Sequence, residues 1–110
     1  MHKMNLQDKY YDFILNGSKR IELRLNDEKR QLIKVGDVIE FSNSKNDNFS
    51  AKVVGLLNYS NFKNLFNDFN IDILADKSMT KDELLSVLGK FYTPQKQEEF
   101  GVLCIMVELS

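Results

Sequence analysis

The chain switches between two kinds of apolar spacing, and the switches mark its elements. Leu6, Tyr10, Phe13 and Ile14 recur at helical spacing, and Gly17 follows as a C′ residue. This spacing predicts a first helix near residues 7–16. Arg20-Ile21-Glu22-Leu23-Arg24-Leu25 alternates strictly, which predicts a half-buried strand. Asn26-Asp27-Glu28 is a cap-like start to a short helical turn through about Leu32. Val35-Gly36-Asp37 reads as a turn, with Gly36 supplying a positive φ. Val38 to Phe41 is a second strand, residues 43–48 a polar hairpin loop, and residues 50–57 a third strand.

The second half turns helical. Ser60 is placed to cap a helix containing Phe62, Leu65 and Phe66. Thr80-Lys81-Asp82-Glu83 fits a capping box, and Leu84, Leu85, Val87 and Leu88 carry that helix to Gly89. Pro94 starts a last short helix, and Val102 to Leu109 is a closing strand. The mixture predicts one α+β domain over residues 1–110: a small, mostly antiparallel β-barrel with short flanking helices.

Composition agrees with a single packed domain. Of 110 residues, 43% are apolar and 28% charged, and eight Phe and four Tyr can fill a core. Net charge is −1, which argues against a protein that grips long nucleic acid by bulk attraction. The charge is unevenly spread. Residues 1–35 carry eight Lys/Arg against five Asp/Glu, a balance of +3, and residues 36–110 seven against eleven, a balance of −4. A local basic face and a merely solvated surface both fit that distribution. The lone Cys104, inside Val102-Leu103-Cys104-Ile105-Met106-Val107, reads as a buried core thiol and excludes a disulfide within the chain. No metal-ligand spacing or phosphate-binding glycine loop occurs, so neither metal nor cofactor is expected. No segment has the apolar length of a membrane span, and the first residues lack a signal-peptide core. The expectation is a cytoplasmic protein.

The order of motifs carries a resemblance. Phe13-Ile14 precedes Gly17-x-Lys19-x-x-Glu22-x-Arg24, then a turn with Lys29-Arg30, then Ile33-x-x-Gly36-Asp37-x-Ile39-x-Phe41. Phe91-Tyr92-Thr93-Pro94 and Phe100-Gly101-Val102 close the chain. The whole resembles the ASCH domain, a relative of the PUA RNA-binding fold, in its small single-domain form. The resemblance implies a small β-barrel with a cleft beside the Gly17–Arg24 segment, and RNA or a nucleotide as partner. Some small members resemble amidohydrolases that remove an acyl group from the exocyclic amine of a modified cytidine. That subgroup has a lysine, a threonine three residues later, and a glutamate before the late helix. Here Lys19 matches the lysine, Glu22 stands at the threonine, and the glutamate position falls near Lys77, with Asp76 the nearest acid.

The residues permit more than one chemistry. Lys19 can hold a phosphate or carbonyl oxygen as a point charge, act as a base if desolvated, or lie exposed over the barrel rim. Arg20, Glu22 and Arg24 share a strand face, so Glu22 is expected between two guanidiniums. It then either accepts from a base amine or a water, or belongs to a structural ion-pair ladder. Alternation puts Lys19 on the other face, unless it precedes the regular strand or a bulge intervenes. Lys29 and Arg30 either extend a basic rim or, more often for such residues, lie on a solvated face; Tyr92 either stacks on a base or is a core or rim aromatic; and Asp27 caps the turn. His2, near the terminus, is too weak a signal for a catalytic base. The binding candidates are therefore Arg20, Arg24, Lys29, Arg30 and Tyr92, with Lys19 and Glu22 as the acid/base pair of an enzyme.

Overall fold

The computed structural model describes residues 2–74 and 78–109. Five strands among them, β1 His2–Asn5, β2 Ile21–Leu25, β3 Val38–Ser42, β4 Asn48–Tyr59 and β5 Val102–Leu109, form one sheet in the order β1-β3-β4-β5-β2. β1 runs parallel to β3, and the other three pairings are antiparallel. The sheet curls into a half-barrel. Short helices flank it: α1 Asp8–Leu15, α2 Phe62–Phe66, α3 Ile71–Leu74, α4 Lys81–Phe91 and α5 Pro94–Phe100. A 3-10 turn spans Arg30–Leu32.

Most elements follow from the pattern read above. α1 ends as Gly17 takes φ +85°, and Gly36 turns the chain at φ +96°. Asp27 Oδ1 accepts the Arg30 N–H at 3.0 Å, which caps the 3-10 turn. Thr80 and Glu83 close the expected capping box, and Pro94 opens α5. Three details differ. Asn61, not Ser60, caps α2, because its side chain accepts from the Asn64 N–H. α4 runs through Gly89 to Phe91, since Gly89 keeps a helical conformation there. β4 is longer than its apolar run because pairing with both β3 and β5 satisfies its polar ends, with a register shift between Val53 and Gly55.

The sheet is buried on both faces. Met4, Ile39, Phe41, Val53, Leu103 and Ile105 pack on the concave face with Tyr11 and Ile14 of α1. Ile21, Leu23, Leu25 and Cys104 pack on the other face against Phe62, Leu65 and Phe66 of α2 and Leu84 of α4. β2, expected to be half-buried, therefore has both faces covered, and only Arg24 keeps partial exposure. Cys104 is the buried thiol expected, and burial pushes its pKa up to about 11.

Candidate functional site

The sheet curls so that its two edge strands, β1 and β2, approach each other, and the charged residues of β2 sit at that seam. Glu22 and Arg24 pair with Ile105 and Leu103 of β5, so their side chains share the concave face with those residues. Arg24 Nη2 reaches across to the Asn5 carbonyl of β1 at 3.0 Å. One side chain thus clasps the two edges that the backbone ladder leaves unpaired.

Lys19 joins this cluster because it precedes the ladder. Gly17 reverses the chain after α1, and the Lys19 N–H then bonds the Phe13 carbonyl at 3.0 Å. Regular pairing begins at Ile21, so alternation does not govern Lys19. Its ammonium donates to Glu22 Oε1 at 3.0 Å and lies 5.1 Å from the centre of the Tyr10 ring. Lys19 and Glu22 are the buried charged residues among those described, at 4% and 5% exposure.

Glu22 is saturated. Oε1 accepts from Lys19 Nζ and from the Leu23 N–H, and Oε2 accepts from Arg24 Nε and Nη2 at 3.1 and 2.8 Å. A carboxylate has about four acceptor positions, and protein donors occupy all of them. Burial alone would raise its pKa, but the Lys19 and Arg24 charges and their hydrogen bonds outweigh burial and hold it below the ordinary value. Burial likewise opposes the Arg24 charge, and Glu22, followed by Tyr92, overcomes it. Lys19 has two further N–H donors with no protein acceptor among the described residues. The cluster is thus a donor surface fixed by a buried carboxylate.

This surface floors a cavity of about 230 Å3. Asn5, Gln7 and Tyr10, Leu84, Val87, Leu88 and Phe91 of α4, and Tyr92 line it as well. Tyr92 is held by its N–H to the Leu88 carbonyl at 2.8 Å, by Gln97 Nε2 on its carbonyl at 2.9 Å, and by its ring 5.6 Å from that of Phe62.

The structure sorts the candidates accordingly. Lys19, Glu22, Arg24 and Tyr92 come together around the cavity. Arg20 does not. Expected beside Glu22 and Arg24, it lies before the strand, exposed, and lines a separate hollow with Val54, Met106 and Glu108. Lys19 takes the place beside Glu22 that alternation assigned to Arg20, because the turn after Gly17 ends only at Ile21. Lys29 is exposed and outside the cavity, whereas Arg30 is half-buried within electrostatic reach of Arg24 and Tyr92. His2 pairs with Asp37 at 2.9 Å, away from the site. The positions near Asp76 and Lys77 lie outside the described residues. Tyr10, Asn5, Gln7 and the apolar face of α4 line the site without having been expected there. For Tyr10 a signal existed, since a chain reversed at Gly17 must run back along its helix.

Fold and site together define a class: a small α+β half-barrel with an ion cluster at the seam of its curled sheet. The model of the ASCH domain matches residues 4–110, and the chain belongs to that family. Among solved structures, the hypothetical protein PH0355 superposes with a TM-score of 0.88 at 35% identity, over 98% of this chain and 97% of that one. Protein PF0455 from Pyrococcus furiosus follows at 0.78 and 27% identity, over 98% and 96%. Protein EF3133 from Enterococcus faecalis V583, at 12% identity and 0.65 over 90% of this chain and 65% of that one, shares the fold alone. No curated protein matches the chain.

Proposed function

We propose that this ASCH domain is a binding module for a nucleotide, free or within a short RNA, and that the seam cavity receives one nucleotide unit. The observation that carries this reading is the donor floor: Lys19 and Arg24, pinned by a saturated Glu22, line an open cavity together with Tyr10 and Tyr92. Such a floor favours acceptors, namely base carbonyls or phosphate oxygens, and the aromatic flanks favour a base. At about 230 Å3 the space lies below the roughly 300–1,000 Å3 of most ligand pockets, which suits one base and not a long strand. Near-neutral net charge agrees with few phosphate contacts. The test is titration of nucleotides and short single-stranded RNA at two salt concentrations. Affinity falls with salt and is lost in Lys19→Ala combined with Arg24→Ala; unchanged affinity in that double variant refutes the reading.

A second reading is an amidohydrolase acting on an N4-acylated cytidine. It is favoured by one observation, the 3.0 Å contact of Lys19 with Glu22 at the cavity surface, which provides a buried acid/base pair. Saturation of Glu22 weighs on the side of binding, because a base needs a free lone pair. Release of free cytidine, abolished by Lys19→Ala, supports the hydrolase; no turnover across a panel of such amides removes it.

A further inference from the structure

Phe91 is the aromatic residue that the fold leaves uncovered. Every other Phe and Tyr of the chain is buried or half-buried. Phe91 is 62% exposed, belongs to neither core cluster and makes no ring contact among the described residues. One exposed apolar side chain is ordinary on a protein surface. This one lines the same cavity as Lys19, Arg24 and Tyr92.

Its position is set by the helix that carries it. Leu84, Val87, Leu88 and Phe91 fall at i, i+3, i+4 and i+7 of α4, so they share one face, and all four line the cavity. Exposure along that face rises from 3% at Leu84 to 62% at Phe91, so the stripe leads from the core to solvent. Both ends of α4 are fixed. The Thr80–Glu83 capping box holds the first turn, and Lys81 Nζ donates to the Phe66 carbonyl at 2.6 Å. Just past Phe91, the Tyr92 N–H bonds the Leu88 carbonyl and Gln97 Nε2 bonds the Tyr92 carbonyl. Phe91 thus stands on a main chain that needs little ordering when a ligand binds.

Size and charge point to the occupant. A space of about 230 Å3 takes one base, so a neighbouring base must lie outside it. Lys19 and Arg24 outnumber Glu22 by one positive charge, which favours a phosphate-bearing strand over an apolar peptide. An exposed phenyl ring at the cavity surface offers such a strand a flat apolar face for its next base.

We propose that Phe91 is a stacking platform for the nucleotide next to the one in the cavity, and that the ligand is single-stranded RNA of at least two nucleotides and not a free nucleotide. This rests on the cavity being a nucleotide site. Stacking reads no hydrogen-bonding edge, so the platform accepts any base in this second position.

Calorimetric titration of the full chain tests this. The probes are nucleoside monophosphates, the dinucleotides that extend them on either side, and dinucleotides whose added residue is abasic. Extension on one side is expected to tighten binding about tenfold or more. The abasic probe keeps the linking phosphate and should lose that gain. Phe91→Ala should weaken dinucleotide binding about tenfold more than monophosphate binding, and Phe91→Tyr should keep the gain. Leu32→Ala, which truncates a similarly exposed apolar residue outside the cavity lining, should leave the gain unchanged. A thermal melt of each variant separates lost binding from lost folding. A dinucleotide that binds no tighter than the monophosphate overturns the platform and leaves the nucleotide reading standing. So does a gain that survives in the abasic probe or in Phe91→Ala. A dimer that Phe91→Ala turns into a monomer, read by sedimentation, assigns the ring to self-association and overturns the platform as well. No binding of any probe overturns the platform and the nucleotide reading together.

Discussion

Two carboxylates in this protein each meet a basic side chain at about the same distance. Glu22 meets Lys19 at 3.0 Å, and Asp37 meets His2 at 2.9 Å. The first pair has side-chain exposures of 4% and 7%, the second 22% and 36%. Contact distance therefore says little about what a charge pair does. Around Asp37, water can replace His2 at small cost. Around Glu22, burial makes replacing Lys19 and Arg24 by water costly, so each partner depends on the others. A buried ion cluster is also an expensive way to stabilise a fold, because a well-packed apolar set of similar volume often does as well. That expense is explained when the cluster presents Lys19 and Arg24 to a ligand.

The contrast can be broken by mutation. The largest effect is expected from Glu22→Ala, which strands two buried cations and releases the clasp between β2 and β1. It should cost about 3–5 kcal/mol in urea denaturation. A loss below about 1 kcal/mol, the range of surface pairs, would show that solvent reaches the cluster after all.

Lys19→Met keeps the aliphatic stem and removes one of four donors to Glu22. The expected loss is about 1–3 kcal/mol, together with loss of nucleotide binding. Binding that survives in a folded Lys19→Met protein separates the cluster from the ligand site.

Acid titration comes next. The folded pKa of Glu22 lies below its ordinary value of 4.5, so its contribution is fully present above that pH and is lost as pH falls through the folded value. Wild type should lose stability below pH 4.5 more steeply than Glu22→Gln. Parallel curves would mean that Glu22 is not the linked group. Asp37 shifts in the same direction, from the His2 hydrogen bond first and the Lys34 N–H second, but it is far more exposed than Glu22 and its share is expected to be minor.

The smallest effect belongs to His2→Ala, for which the denaturation midpoint should stay within the scatter of ordinary surface substitutions. A shift comparable to that of Glu22→Ala would erase the distinction between the two pairs.

Much of the fold was legible because its cues are local. Gly17, Gly36, the Thr80–Glu83 box and Pro94 each act within a few residues, and each works as its chemistry predicts. β1 and α3 were not legible. His2–Asn5 has a single buried residue, Met4, and becomes a strand only because β3 offers a parallel edge. The four residues of α3 are too few for a periodic signal. At the site, Lys19, Glu22 and Arg24 stood out as charge density, but their grouping did not, since Arg20 and Lys19 exchange roles according to where the ladder begins.

The sequence by itself determined the helix ends, the turns, most of the strands and the ASCH signature in Gly17–Arg24, because backbone preferences and short-range hydrogen bonds decide those. Tertiary structure alone decided that Glu22 is buried, that its acceptor positions are filled, that Arg24 bridges to Asn5, and that α4 walls a cavity above them. Those outcomes depend on the curl that brings the two sheet edges together, and no window of neighbouring residues contains that long-range geometry.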